Sequence, residues 1–146
     1  MKDVYIEEDF QEFRKVVVST KFSQVYSGIG DIVLGMTSSI TLRLLFWIID
    51  RMDEDNLVTI RKSEKMDFSY LCFKSGAERK SISSINRSVK ELVDKGFMVS
   101  TNSKGERLGK YFINPGYVWK SKGQQDRVSR IKEFYEFKKF KENEKN

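Results

Sequence analysis

The stretch Lys80–Lys95, KSISSINRSVKELVDK, closed by Gly96, decides how this chain is read. Its apolar residues Ile82, Ile85, Val89 and Leu92 recur at spacings of three, four and three, which is one face of an amphipathic helix. At about 100° per residue the opposite face carries Lys80, Ser83, Ser84 and Arg87, then Glu91 and Asp94. That face is basic and hydroxylic in its first half and acidic in its second. A helix so patterned can turn its first two turns toward phosphates and base edges while its C-terminal half points away. The bland alternative is a solvated surface helix, and the neighbouring stretches weigh against it.

Downstream, Phe97–Thr101 and Gly109–Ile113 read as two strands joined by a turn at Lys104-Gly105, with Asn114-Pro115-Gly116 ending the second. Upstream, Ser63–Lys74 reads as a helix with Met66, Tyr70, Leu71 and Phe73 as its apolar contacts, ended by Ser75-Gly76. Leu57–Ile60 is a short strand after the polar turn Asp53–Asn56. Ile40–Met52 is a helix whose N-cap oxygen comes from Thr37-Ser38-Ser39. Its apolar residues run almost all round, so it is expected to be buried on more than one side. Helix, short strand, helix, helix, hairpin is the order of a winged helix-turn-helix.

The flanks extend this unit. Lys15–Phe22 is rich in β-branched residues and reads as a strand, and the Gly-containing segment Gln24–Met36 has no clear state. Its GxG lacks the rest of a dinucleotide fingerprint. Tyr117-Val118-Trp119 is an apolar anchor for the core. Arg127 to about Glu142 is a basic helix with an apolar stripe of Val128, Ile131, Phe134, Tyr135 and Phe137. That stripe suits packing onto the domain or onto a two-fold partner. The expected class is therefore α+β: residues 1–36 an N-terminal arm with a β extension, 37–119 a winged helix-turn-helix domain, and 120–146 a basic C-terminal helix and tail.

Composition narrows the chemistry. The 146 residues carry a formal net charge of +6. Residues 1–56 hold six Lys/Arg against ten Asp/Glu, a net of −4, and residues 57–146 hold 21 against 11, a net of +10. Such a split suggests a polyanionic partner met by the second half. The chain has no histidine, which removes His-based acid–base chemistry, His-containing triads and His zinc sites. Cys72 is the lone cysteine and reads as a small core residue in a reducing cytoplasm. The acidic N-terminus lacks the apolar segment of a signal peptide, and the longest apolar run, Leu44–Ile49, is too short to span a bilayer. No enzymatic activity, metal or cofactor is expected, and no membrane partner.

Three stretches resemble one family. LRLLFWIID (42–50) with DNLVTI (55–60), SINRSVKELVDKGFM (84–98) and GKYFINPGYVWKSKG (109–123) are similar to the RepL-type plasmid replication proteins of Gram-positive bacteria. The resemblance covers roughly residues 40–135, and the strand-Asn-Pro-aromatic-Lys run after the hairpin is its most particular part. It implies a protein that recognises double-stranded DNA at a plasmid origin and recruits host replication proteins. The same helix and hairpin would equally serve a dimeric transcriptional regulator, or a module that docks a protein. For DNA, Ser83, Ser84 and Arg87 are the candidate base-edge contacts, and Ser81 belongs to the same DNA-facing set. Arg79, Lys80, Lys90, Lys104, Arg107 and Lys110 are the candidate phosphate contacts. A homodimer is the candidate assembly, from the apolar helix 40–52 and the aromatic C-terminal stripe.

Overall fold

The computed structural model describes residues 23–72, 82–101, 109–120 and 124–145. Among these residues five helices and five short strands follow in the order β1 (Gln24–Val25), α1 (Ile29–Leu34), α2 (Ser39–Arg51), β2 (Leu57–Thr59), α3 (Lys62–Cys72), α4 (Ile82–Asp94), β3 (Met98–Ser100), β4 (Lys110–Ile113), β5 (Val118–Trp119) and α5 (Gln124–Lys145). The α+β class expected from the sequence is present. The strand expected at 15–22 and the turns at 75–80 and 102–108 lie outside the described residues.

Local chemistry explains the helix ends. Ser38 sits in extended conformation as the N-cap of α2, and its Oγ accepts the Ile40 N–H at 3.1 Å. α4 ends at Gly96, whose φ of +79° is the left-handed value that glycine adopts freely. Phe97 N–H donates back to Leu92 O and Gly96 N–H to Val93 O, closing a Schellman turn that delivers the chain into β3.

Three strands form one antiparallel sheet in the order β2-β4-β3. Side chains alternate across it with period two, and both faces are covered. Val58, Met98 and Ile113 face a helical core built from Leu44, Leu45 and Ile48 of α2 and Ile85, Val89 and Leu92 of α4. Val99 and Phe112 face the other way and meet Phe134 of α5. The Phe112 and Phe134 rings pack edge to face at 5.6 Å, and Phe137 adds a second edge contact at 6.2 Å. Arg130 reinforces the contact, with its guanidinium 4.3 Å from the Phe112 ring and a hydrogen bond to the Asp55 carbonyl. The expected C-terminal stripe is therefore divided. Phe134 is buried and Phe137 half-buried on the sheet, while Val128 and Tyr135 are exposed.

Two other expectations are corrected. α3 inserts Phe68 into the core, where it meets the Trp47 ring edge to face at 5.8 Å. Of the four expected apolar contacts, Met66, Tyr70 and Leu71 face outward, and Phe73 lies outside the described residues. Phe46 of α2 is also exposed, so α2 is buried on a broad arc rather than all round. The segment of unclear state contains β1 and α1: β1 pairs with β5, and Ile32 of α1 joins the core.

Two buried asparagines join these parts. Asn56 is fully buried at φ +61°, a left-handed conformation that Asn tolerates better than other side chains. Its side-chain amide donates to Ile113 O at 3.2 Å and Val118 O at 2.8 Å, and its backbone carbonyl accepts the Ile113 N–H. Asn114 donates to Gly96 O and accepts the Gly116 N–H, tying the end of β4 to the end of α4. Replacing Asn56 removes two buried hydrogen bonds and leaves two carbonyls unpaired. Asn56→Gly, which keeps the backbone relaxed, should still cost about 2–4 kcal/mol, and Asn56→Asp at least as much. Urea denaturation of the two variants checks this; an Asn56→Gly protein as stable as the parent would show that only the backbone conformation matters there.

Candidate nucleic-acid interface

The face that α4 shows to solvent depends on how the helix is rotated, and two polar residues set that rotation. Ser88 is buried, with its Oγ 3.0 Å from Thr41 Oγ1 of α2. Glu91 is half-buried and reaches the start of α2. Its Oε1 accepts the Thr41 hydroxyl at 2.7 Å, and its Oε2 accepts both the Thr37 N–H and the Thr37 hydroxyl at 3.0 Å. Burial pushes the Glu91 carboxyl up, but the hydrogen bonds from Thr41 and Thr37 and the nearby Lys95 charge outweigh it, leaving the group below its ordinary value.

This bracing corrects the expected outward face. Glu91 does not mark the far end of an exposed stripe; it is turned onto α2 and forms part of the floor of an open groove between the two helices. The exposed side chains of α4 are Ser83, Asn86, Arg87, Lys90 and Asp94, so the outer face is rotated toward Asn86 and Lys90. Ser84 is half-buried and accepts a hydrogen bond from Arg87 Nη2 at 3.2 Å, which lays the guanidinium along the helix. Lys90 pairs with Asp94 at 2.7 Å, with both side chains more than half exposed. An ion pair this exposed is worth about 0–1 kcal/mol and opens readily toward another anion.

Of the ten candidate contacts, the structure brings Ser83, Ser84, Arg87 and Lys90 together on α4. Lys110 is exposed at the first position of β4, opposite Thr59 of β2, and its carbonyl accepts the Thr101 N–H. No described contact joins it to α4. Arg79, Lys80, Ser81, Lys104 and Arg107 lie outside the described residues.

Asn86 is the residue that the sequence pattern missed. It lies three positions after Ser83 and four before Lys90, on the side that the apolar spacing alone leaves at the border. Three basic residues of the second half serve the fold. Lys120 Nζ donates to Met52 O at 2.7 Å and closes the C-terminus of α2. Arg127 donates to the Pro115 and Gly116 carbonyls, with its guanidinium 3.6 Å from the Tyr26 ring. With Arg130 against Asp55 and Phe112, these contacts take part of the positive charge out of any ligand surface. Among the described residues no helix is long and apolar enough to cross a membrane, and no group of three or more acidic or Cys side chains could hold a metal ion.

The entire chain, residues 1–146, matches the family described as Firmicute plasmid replication protein (RepL). No curated protein and no solved structure gives a match.

The Glu91 brace has a pH signature. Because its carboxyl is lowered in the folded protein, its stabilisation is fully present above the pKa of an unfolded glutamate and is lost as pH falls through the lower folded value. Losing the charged acceptor of these partly exposed hydrogen bonds in Glu91→Gln should destabilise the protein by about 1 kcal/mol at pH 7, and the gap should shrink as pH falls below the ordinary glutamate range. Thermal melts of the two proteins across this range measure it; a gap that does not change with pH would mean that Glu91 is not held as a carboxylate.

Proposed function

The chain belongs to the RepL family of Firmicute plasmid replication proteins, and from that premise we propose that it binds double-stranded DNA at its plasmid's origin as a replication initiator. It does so without chemistry of its own and hands the site to host replication proteins. The unit from α2 to β4 is a winged helix-turn-helix in this reading: helix, strand, helix, helix and a hairpin whose second strand pairs with β2. α4 is the recognition helix, and the paired strands β3 and β4 form the wing hairpin.

One observation carries the reading. α4 offers Ser83, Asn86, Arg87 and Lys90 on a single exposed face, and that face is held against rotation from behind by Ser88 and Glu91. The residue types suit a major groove. Arginine pairs in bidentate fashion with guanine, asparagine does the same with adenine, and serine serves either edge. Lys90 and Lys110 supply charge for the flanking phosphates. The acidic Asp94 follows where the helix would leave the groove. Family membership makes DNA the expected polyanion, and the +10 balance of residues 57–146 agrees with it.

Titration of fluorescent duplexes from the plasmid origin, against scrambled duplexes of equal length, tests the assignment. Arg87→Ala and Asn86→Ala should each cost about 1–3 kcal/mol on the origin duplex and far less on the scrambled one. Lys90→Ala should weaken both duplexes alike and reduce the salt slope by about one. Unchanged origin affinity in both Arg87→Ala and Asn86→Ala would remove α4 from the groove.

A further inference from the structure

α5 uses only one side against the fold. Phe134 is buried on the sheet and Phe137 packs beside it, and Arg127 and Arg130 grip backbone carbonyls on that same flank. On the free side Val128, Lys132, Glu136 and Phe140 are all exposed, Val128 by 53% and Phe140 by 59%. Their constant spacing of four puts them in a single oblique ridge of the helix surface, the kind of ridge that interdigitates in the commonest helix crossing. Read from either end, this ridge runs apolar, charged, charged, apolar, and its two central charges are opposite. Among the described residues, neither Lys132 nor Glu136 makes an ion pair within the chain.

We propose that this ridge docks a second copy of the chain, with the two α5 helices antiparallel. A two-fold axis between Lys132 and Glu136 sets Val128 beside the partner's Phe140 and Lys132 beside the partner's Glu136, and the symmetry makes each contact twice. Ser129 then faces the partner's Lys139, so no like charges meet along the ridge. An isologous contact needs a surface complementary to itself under a two-fold rotation, and this order of side chains has that property. A DNA backbone fits poorly here, because Glu136 repels phosphate and the two exposed apolar ends gain nothing from it. The contact is short, so the dimer is of modest affinity, on the order of micromolar. The inference stands on the α5 surface alone and does not depend on what α4 binds.

Sedimentation of the full chain up to about 200 µM should show a reversible monomer–dimer equilibrium. Lys132→Glu places like charges together and should weaken the dimer roughly tenfold or more, as should Glu136→Lys. The double variant K132E/E136K re-pairs the charges and should return to within roughly threefold of the parent. These side chains are exposed, so the variants stay folded, and circular dichroism checks that they do. A second measurement reads the register. In a Cys72→Ala background, a Val128→Cys chain mixed with a Phe140→Cys chain should oxidise to a mixed disulfide dimer. Neither chain should cross-link alone, because equivalent positions twelve residues apart along the pair lie roughly 18 Å from each other. A parent chain that stays monomeric, a double variant no better than the single ones, or cross-linking between like positions would overturn the proposal.

Discussion

The carboxylate of Glu91, held by Thr37 and Thr41, is the contact on which the functional reading of this fold turns. A stripe of four apolar residues tells α4 which side to bury but does not by itself fix its rotation. Three directed hydrogen bonds, with Ser88 against Thr41 one turn earlier, remove that freedom. Burying part of a charge is costly unless donors replace the lost water, and Thr37 and Thr41 supply them at the N-terminal turn of α2, where the helix dipole also favours an anion. The consequence appears on the opposite side of α4: with Glu91 turned inward, Asn86 comes forward between Ser83 and Lys90.

The sheet extends this order outward. Because its strands alternate with period two and both faces are covered, Val58, Met98 and Ile113 serve the helical core while Phe112 and Val99 hold α5. Asn56 and Asn114 lock the junctions, since each spends its amide on backbone carbonyls that the sheet and turns would otherwise leave unpaired. A scaffold fixed in this way can present two separate surfaces. The face of α4 is polar and cationic, as a nucleic acid requires. The ridge of α5 is self-complementary, as a second copy requires. Dimerisation through α5 would give the protein two copies of α4, the arrangement with which a helix-turn-helix protein reads paired half-sites.

Much of this was legible in the sequence because it rests on strong local signals. The spacing of Ile82, Ile85, Val89 and Leu92, the left-handed glycine after α4, the Ser38 cap and the Asn-Pro stop after β4 each have one dominant physical meaning. What was not legible depended on tertiary choice. α3 contains Met66, Phe68, Tyr70 and Leu71, and its packing against the core, where Phe68 meets Trp47, decides which of them goes inward. Glu91 reads as a solvated acid until the hydroxyls of Thr37 and Thr41, some fifty residues away in the chain, come beneath it. The β1–β5 pair is two residues long and carries no pattern at all. At the candidate site Ser83, Arg87 and Lys90 follow from periodicity, whereas Asn86 required the rotation to be known. In α5 the aromatic stripe was visible, but its division between sheet and solvent was not.

The central claim is that this chain reads a specific duplex site, and hydroxyl-radical footprinting on plasmid DNA spanning its own coding region and flanks tests it most directly. The account predicts a discrete protected stretch at the origin that persists when competitor DNA of unrelated sequence is added. Uniform cleavage along the duplex at low salt, with or without competitor, would contradict it.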